Sequence, residues 1–262
     1  MGSMDIPAAE DGGPTASTTV TSFRVIEALK DRDAAGVSEL ADELDLAKGT
    51  VHKHLNTLRR LNYVVKDGRA YRLSVSFLGL GTSARTRLPI SDAAARPLEN
   101  LASATGEIAS LMVPEHGYGI YINRESEQKR PETAARVGDR LPMHATAGGK
   151  AILSYTPLEE RERILDHRGL SKLTENTVTD RDAFEDELQL TRDRRMAYDR
   201  GEYREDRHCI AYPITNPDGR AIGAVTVSGP ATRMKEKDAS TDFASIVGST
   251  VSSIQNAFFR DR

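Results

Sequence analysis

The sequence has very little cysteine: Cys209 is the only one among its 262 residues. A single thiol excludes a disulfide within the chain and a cysteine-rich zinc site. Long apolar runs are also missing, since the longest fall far short of the roughly 20 residues that a helix needs to cross a bilayer. The first residues show no basic segment followed by an apolar one, so we expect no signal peptide. These absences together predict a cytoplasmic protein without a membrane span.

Residues 1–17 are rich in small and polar side chains and are predicted to form a disordered tail, in which Gly2-Ser3-Met4 looks like a cloning remnant. The chain as a whole has 38% apolar and 29% charged residues, which suits a folded globular protein. Its length allows one large domain or two ordinary ones.

The net charge of −3 conceals an uneven distribution. Residues 1–46 hold 3 basic and 10 acidic residues, whereas residues 47–72 hold 7 basic residues and 1 acidic residue. A local basic stripe is what phosphate binding requires, although such a run is more often an ordinary solvated face. The elements that carry the stripe therefore decide its meaning.

Three short helices are predicted around this stripe. The first covers Thr18–Lys30, the second follows Ser38 as its N-cap, and the third covers Ala47–Leu61. The third helix has an apolar stripe at Val51, Leu55 and Leu58 and an opposite polar face. A tight turn before a polar-faced helix is typical of a helix-turn-helix.

A basic hairpin is predicted directly after the third helix. Tyr63–Lys66 and Arg69–Ser74 have the pattern of strands, and Asp67-Gly68 has that of the turn between them. A helix-turn-helix followed at once by such a wing is a much more specific signal than either part alone. We therefore predict a winged helix-turn-helix DNA-binding domain at residues 18–76.

The candidate DNA-binding residues lie on the third helix and on the wing. Asn can read adenine and Lys can read guanine in the major groove, but each side chain is as readily a phosphate contact or no contact. A metal site at His52 and His54 is the alternative, and it lacks a Cys or carboxylate partner at ligand spacing, so no metal or other cofactor is expected. The candidates are Lys48, Gly49, Thr50, His52, Lys53, Asn56, Lys66, Arg69 and Arg72.

The rest of the chain mixes both kinds of periodicity. A linker helix is predicted at residues 77–89, where it could pack against a second copy and fix the spacing of two DNA-binding heads. Residues 90–262 are predicted to form an α+β domain in which helices pack on an antiparallel sheet. The predicted helices are Ser91–Ala104 with Ser91 as cap, Thr146–Ser154, Leu158–His167, Asp182–Met196 and Glu236–Phe259; the predicted strands are Ile108–Val113, Gly119–Asn123, Cys209–Ile214 and Ala221–Ser228.

Three stretches in this order resemble the isocitrate lyase regulator (IclR) family of prokaryotic transcription regulators over about residues 20–259. They are Leu46–Leu55 in the third helix, Leu141–Ala151, and Tyr198–Tyr203 continuing to His208–Ile214. Gly49 departs from the family, which often has Ser or Thr there; the missing side chain removes a contact and weakens the helix by about 1 kcal/mol at most.

The resemblance implies a GAF-like effector-binding domain, a homodimer formed through the N-terminal region and, in many members, a tetramer through the C-terminal one. It also implies an effector pocket between the sheet and the Thr146 loop. The residues that match the family's pocket are Ala147, Gly148, Asp199, Cys209, Thr226 and Ser228, and Met143 of the Leu141–Ala151 stretch is a further candidate.

The residues themselves agree with this pocket in part. Gly148-Gly149 before a helix exposes N–H groups that can hold a carboxylate, and Thr226 and Ser228 share one strand face. We therefore expect a carboxylate-bearing effector. The alternatives stay open: the glycine pair forms an ordinary turn, Cys209 is a buried apolar residue, and Asp199 is a surface acid paired with arginine.

The function predicted is that of a sequence-specific transcription regulator, repressor or activator, whose homodimer binds a palindrome-like operator under the control of a small molecule. One alternative is an architectural DNA-binding protein without an effector. The other is an enzyme with Cys209 as nucleophile beside His208 or His144, but on a regular strand His208 and Cys209 point to opposite faces, and no GxSxG, Walker or Rossmann motif is present.

Overall fold

The computed structural model describes residues 15–127, 135–238 and 241–260, and it divides into two compact units between Ala84 and Arg85. The predicted tail at residues 1–17 lies almost wholly outside the described residues. Among the described residues, no helix has both the length and the apolar character that crossing a membrane requires.

The first unit is a winged helix-turn-helix, as predicted. Three helices pack with a small antiparallel sheet of strand order β1-β3-β2, in which β1 lies between the first two helices and the β2–β3 hairpin follows the third; one further helix comes after the hairpin. Its elements are α1 Ser17–Lys30, β1 Ala35–Gly36, α2 Val37–Leu44, α3 Lys48–Arg60, β2 Val64–Asp67, β3 Ala70–Leu73 and α4 Phe77–Arg85.

The buried side of α3 holds this unit together. Val51 and Leu55 are completely buried and pack with residues of α1 and α2. His54 is buried beside them, with its Nδ1 atom 2.9 Å from the Ser22 Oγ of α1. Burial, together with the charge of Lys53, lowers the pKa of His54, so its imidazole stays neutral in this contact. Because one side of α3 is committed to the core, its other side is left for solvent.

Three local details of this unit differ from the sequence prediction. Helix α2 begins at Val37, because the Gly36 N–H donates to Glu39 Oε2 at 2.6 Å, so Ser38 is not the N-cap. Asp67 pairs with Ala70, which makes Gly68-Arg69 the two-residue turn instead of Asp67-Gly68. Gly68 has φ 58°, a backbone conformation that glycine adopts without strain. Strand β1 was not predicted, because two residues are too short to show an alternation.

Helix α4 ends at Arg85, four residues before the predicted end of the linker helix at residue 89. Leu88 precedes Pro89, and the proline ring disfavours the helical conformation in the residue before it. No side chain of α4 is buried in the described structure; Leu78 and Leu80 are 71% and 54% exposed, and the preceding Val75 is 75% exposed. An exposed apolar surface of this kind marks a contact surface.

The second unit is the predicted α+β domain with an antiparallel sheet. Six strands pair in the order β6-β5-β4-β9-β8-β7, and every neighbouring pair is antiparallel. Its elements are α5 Ile90–Thr105, β4 Ile108–Glu115, β5 Tyr118–Glu125, β6 Arg140–Pro142, α6 Ala147–Leu153, α7 Leu158–Arg168, α8 Arg181–Arg194, β7 Ala197–Arg200, β8 Arg207–Thr215, β9 Ala221–Pro230, α9 Ala231–Asp238 and α10 Thr241–Arg260.

Helices cover both faces of this sheet. On one face, α5 and α10 pack against alternate apolar residues of the central strands, such as Leu111 and Val225. On the other face, α6 and α8 pack against the residues between them, such as Met112 and Ala224. Successive side chains of a strand point to opposite faces, so the register of each strand decides which residues face α6.

A β-bulge in β5 changes that register. Met112 pairs with Tyr121 but Leu111 pairs with Asn123, so Ile122 is the additional residue. Both Ile122 and Asn123 therefore lie on the α5 side, and the next residue, Arg124, faces α6 together with Tyr121. Regular alternation would place residues 121 and 124 on opposite faces.

Ser91 was predicted to cap α5, and that prediction is wrong. Helix α5 begins at Ile90 after Pro89, and Ser91 is buried inside it. The Ser91 hydroxyl donates to Asn123 Oδ1 at 2.8 Å, while Asn123 Nδ2 donates to the Ser91 carbonyl at 3.2 Å. Ser91 thus fixes the bulged strand to the helix.

Two other parts of the second unit differ from the prediction. The short strands β6 and β7 at the sheet edges were not predicted. The predicted closing helix Glu236–Phe259 corresponds to the end of α9 and most of α10, and the two residues between them lie outside the described residues.

We expect Leu55→Ala to destabilise the first unit by about 2–5 kcal/mol, because it leaves a cavity under a fully buried side chain. Urea unfolding followed by far-UV circular dichroism measures the change. Lys53→Ala is the matched control: it truncates an exposed neighbour on the same helix and should stay within about 0.5 kcal/mol of the unchanged protein. Equal stabilities for the two variants would contradict the assignment of Leu55 to the core.

Candidate functional site

The solvent side of α3 carries the candidate DNA-binding residues of that helix. Lys48, Gly49, Thr50, His52 and Lys53 are exposed. Asn56 is half-buried, and its Oδ1 atom accepts a hydrogen bond from Arg59 at 3.2 Å. The imidazoles of His52 and His54 lie on different sides of the helix, and no cluster of potential metal ligands occurs among the described residues.

The beginning of α3 is prepared for an anion. Ala47 offers no capping side chain, and the first turn contains no acidic residue. The hydrogen bonds of the helix start with the Thr50 N–H, so the N–H groups of Lys48 and Gly49 have no partner in the described part of the chain. Unpaired N–H groups at a helix N-terminus attract phosphate, and the missing side chain at Gly49 leaves the approach open.

The wing adds three exposed cations. Lys66 lies on β2 with its Nζ atom 5.5 Å from the ring centre of Tyr71, Arg69 is in the turn, and Arg72 is on β3. The chain therefore brings the basic residues of residues 47–72 to the exposed surface of α3 and of the hairpin that follows it.

The second unit contains a cleft on the α6 side of its sheet. The cleft and the solvent space at its open mouth together occupy about 470 Å³. Of the predicted effector residues, Ala147, Asp199, Cys209 and Ser228 line it, whereas Met143, Gly148, Gly149 and Thr226 do not. The remaining lining residues are Tyr121, Arg124, Ala135, Leu141, Thr146, Tyr203, Arg204, Arg207 and His208.

The glycine pair is placed differently from the expected carboxylate cradle. The Gly149 N–H donates to Thr146 Oγ1 at 3.3 Å, so it is not free for a ligand. A Cβ atom on Gly149 would lie 2.2 Å from the Met143 carbonyl oxygen, and one on Gly148 would lie 2.7 Å from the sulfur of Met112. Close packing of α6 on the strand and loop beneath it is therefore the reason for glycine at both positions.

Two hydroxyl groups lie on the same sheet face as the cleft residues without a hydrogen-bond partner among the described residues. They belong to Ser110 and Thr226, which are directly opposite each other on β4 and β9 and fully buried. Thr226 also lies beside Tyr121 and Cys209. Buried polar groups usually find a partner, so these two hydroxyls mark a polar floor.

Asp199 is the one buried carboxylate among the described residues that line the cleft. Its Oδ1 atom accepts hydrogen bonds from the Glu202 N–H at 2.7 Å and the Tyr203 N–H at 3.3 Å. Burial outweighs these bonds and raises the pKa of Asp199 to about 7. Asp199 is therefore not the exposed salt-bridged acid of the alternative interpretation.

A buried ionic cluster supports the chain around Asp199. Lys150 of α6 is completely buried, and its ammonium group donates to Glu202 Oε1 at 2.6 Å and to Glu187 of α8. Glu202 belongs to the same turn that donates its N–H to Asp199. Lys150 thereby ties α8 and the Asp199 turn to the helix that follows the cleft loop.

Three arginines of the cleft were missed by the sequence analysis. Arg204 and Arg207 follow the Tyr198–Tyr203 stretch closely, and a count of cations around that stretch would have drawn attention to them. Arg124 had no such signal, because only the bulge in β5 turns it toward the cleft.

Two family models match the chain. The model of the IclR helix-turn-helix domain matches residues 21–68, and the model of the C-terminal domain of bacterial IclR transcriptional regulators matches residues 82–256. Among similar proteins, the glycerol operon regulatory protein of Streptomyces griseus is 35% identical over 205 residues, which cover 76% of this chain and 78% of that protein.

Solved structures share the fold. A transcriptional regulator from Rhodococcus sp. RHA1 superposes with a TM-score of 0.78 at 24% identity, covering 95% of this chain and 100% of the other. An IclR homologue from Microbacterium hydrocarbonoxydans, solved in complex with 4-hydroxybenzoate, has a TM-score of 0.77 at 23% identity, covering 94% and 100%. These structures extend over both units.

We expect Lys150→Met to destabilise the protein by about 3–5 kcal/mol, because it leaves Glu202 buried without a counter-charge. Urea unfolding measures the loss, and Lys172→Met is the control, since Lys172 and Glu175 form an exposed pair whose loss costs about 0–1 kcal/mol. The double variant Lys150→Met, Glu202→Gln should recover part of the loss. If Lys150→Met is no worse than Lys172→Met, the cluster does not stabilise the fold.

Asp199 should make stability fall as pH rises. Its pKa in the folded protein, about 7, lies above the ordinary value of 3.8, so unfolding releases a proton between these two pH values. Stability from this group is therefore complete below pH 4 and is lost as pH rises through 7. Asp199→Asn should gain stability over the unchanged protein across this window, by at most about 1.4 kcal/mol per pH unit.

Urea unfolding at a series of pH values from 4.5 to 8.5 measures this difference. Asp186→Asn is the control, because it removes an exposed carboxylate of the same unit and should give a constant offset. Parallel pH profiles for Asp199→Asn and the unchanged protein would show that Asp199 has an ordinary pKa.

Proposed function

The chain belongs to the IclR family of DNA-binding transcription regulators, and from this membership we propose that residues 18–76 bind an operator while the cleft of residues 90–262 binds a small organic acid that changes operator affinity. Residues 77–89 link the two. The observation that carries the first part is the exposed, uncapped and basic beginning of α3 beside a basic wing. The change in operator affinity that effector binding causes is measured by a coupling free energy, typically about 1–3 kcal/mol.

Operator binding is supported by the two different sides of α3, one buried in the core and the other exposed. One side of the helix forms the core through Val51 and Leu55, so the helix presents the other side as a rigid unit. Lys48, Thr50, His52, Lys53 and Asn56 are the proposed groove-facing residues, and Gly49 allows close backbone approach to a phosphate. Lys66, Arg69 and Arg72 of the wing are proposed to contact the backbone beside the groove.

Effector binding is supported by the charge of the cleft. Arg124, Arg204 and Arg207 line it, and guanidinium groups are the side chains best suited to bind carboxylates. Ser228 lines the cleft and offers a hydroxyl group to a ligand, and the fully buried hydroxyl of Thr226 lies next to the lining residues Tyr121 and Cys209. The 4-hydroxybenzoate found in the Microbacterium homologue is an aromatic carboxylate, and Tyr121 and Tyr203 give this cleft aromatic surface beside its arginines. Met143, Ala147, Gly148 and Gly149 are proposed to shape the site through packing.

A homodimer is the proposed assembly. The exposed apolar side chains of Val75, Leu78 and Leu80 are costly to leave in water and would be covered by a second copy. Two copies related by a two-fold axis imply a palindrome-like operator. A tetramer through the second unit is the alternative. Because the operator is genomic DNA, we propose that the protein is cytoplasmic.

The two alternatives are less well supported. Burial raises the pKa of the Cys209 thiol, which suppresses the thiolate that an enzyme would need as nucleophile. His144 is engaged elsewhere, with its Nε2 atom 2.9 Å from the Ser171 carbonyl oxygen. An architectural DNA-binding protein would have no need for a cleft with three arginines. We therefore propose that the protein is not an enzyme.

Selection of bound fragments from genomic DNA of the source organism tests operator binding. The purified protein should enrich a short inverted repeat, and Lys53→Ala, Arg69→Ala should lower affinity for that repeat by at least about ten-fold. The salt dependence should lose about one unit of slope for each phosphate contact removed. Lys172→Ala, Arg194→Ala removes the same charge from exposed positions of the second unit and should leave binding unchanged.

Enrichment of no shared sequence, with or without pools of small organic acids, would contradict operator binding. Equal losses in the two double variants would show that only the net charge matters, and would contradict the assignment of α3 and the wing as the DNA-binding surface.

A further inference from the structure

Two arginines of the cleft form no ion pair among the described residues. Arg124 stacks on the ring of Tyr121, with its guanidinium carbon 4.5 Å from the ring centre, and forms no ion pair there. Arg207 is half-buried and forms none either. Arg204 differs, because its guanidinium donates to both carboxylate oxygens of Asp206 at 2.9 Å. In the described part of the chain, the cleft therefore holds two arginines without an ion-pair partner.

The same two arginines lie on one face of the sheet, on strands β5 and β8 that flank its two central strands. The bulge in β5 turns Arg124 toward α6, and Arg207 lies on the same face of β8 as Cys209. Burial lowers the pKa of Arg207 and outweighs the charges of Asp206 and Glu107, which act in the opposite direction; the charges of Arg204 and Arg124 lower it further. The guanidinium groups are thus close enough to repel one another, which an anion placed between them would relieve.

Asp199 does not cancel these charges. Its pKa near 7 means that it is protonated in a large fraction of molecules near neutral pH, and an anion in the cleft would favour the protonated form further. The unpaired hydroxyls of Ser110 and Thr226 lie between Arg124 and the Ser228 side of the floor. They add hydrogen-bonding capacity without charge.

From this arrangement we propose that the effector of this protein is a dianion, either a small dicarboxylate or a phosphate monoester, bound between Arg124 and Arg207. This inference rests on the proposed function of the cleft and makes it more specific. Two arginines that form no ion pair are complementary to two negative charges, and a monoanion would pair with only one of the two guanidinium groups.

Binding of matched probes by the full-length protein tests the inference. Succinate is compared with succinamate, which replaces one carboxylate by an amide, and methyl phosphate is compared with methyl sulfate, which has the same shape and one charge less. Calorimetric titration at pH 7.5 and constant ionic strength gives each dissociation constant. In at least one pair we expect the dianion to bind at least about ten-fold more tightly than the monoanion.

Substitutions assign this preference to the two arginines. Arg124→Gln and Arg207→Gln should each reduce the preference to about two-fold or less, whereas Arg124→Lys and Arg207→Lys retain the charge and should keep part of it. Arg96→Gln removes an exposed arginine of α5 outside the cleft and should change nothing. The lysine variants also show whether a loss reflects charge or damage to the fold.

Each outcome is decisive. A preference for succinate alone identifies a dicarboxylate site, and one for methyl phosphate alone identifies a phosphate site; both support the inference. Monoanions that bind as tightly as their dianions would overturn it while leaving the cleft as a carboxylate site. Binding of none of the four probes at 50 mM would overturn it as well. Operator selection uses none of these probes, so a failure of the regulator function would be seen separately.

Discussion

A lysine without any exposed surface must find negative charge inside the protein, and Lys150 finds it on two separate elements. The ammonium group of Lys150 joins α6 to α8 through Glu187 and to the turn after β7 through Glu202. That turn supplies the N–H groups that hold Asp199 in the cleft. The position of the cleft acid therefore depends on an ion pair that has no contact with the ligand space. If α6, α8 or the turn after β7 moved away, a charged group of this cluster would be left buried without its partner, so each element stabilises the positions of the other two.

Close packing at two glycines holds α6 in place in addition to the ion pairs of Lys150. Gly148 and Gly149 allow α6 to lie directly on Met112 and on the Met143 backbone, so this helix has almost no freedom to move away from the sheet. The polar groups at its beginning serve the helix itself, through the Thr146 cap. The charged side chains that line the cleft come instead from the sheet and from the chain after β7. The cleft thus combines a closely packed helix with a cationic lining.

Much of the architecture was accessible from sequence because its elements show their period plainly. The apolar stripe of α3, the basic hairpin and the long strands of the sheet all follow from alternation or helical spacing, and they predicted both the winged helix and the α+β domain. Four pocket residues that the family resemblance implied line the cleft. What escaped were features decided by tertiary contact: Ser91 bonds a strand instead of capping a helix, Gly149 yields its N–H to Thr146, and the two-residue strand β1 is too short for a pattern.

The arginines show the same limit most clearly. Arg204 and Arg207 lie within the Tyr198–Ile214 region that the sequence already assigned to the pocket. By contrast, nothing in the order of residues 118–125 indicates that residues 121 and 124 share a face of the sheet. That fact arises from one additional residue in a strand, and no local propensity encodes it.

The bond between Ser91 and Asn123 gives that additional residue a wider meaning. If the ladder closed regularly, Asn123 would take the place of Arg124 over the cleft, and Arg124 would turn into the apolar layer beneath α5. A cation would be exchanged for a neutral amide with no codon changed. The hydrogen bonds between Ser91 and Asn123 that hold this alignment therefore also decide which charge the strand presents at the cleft.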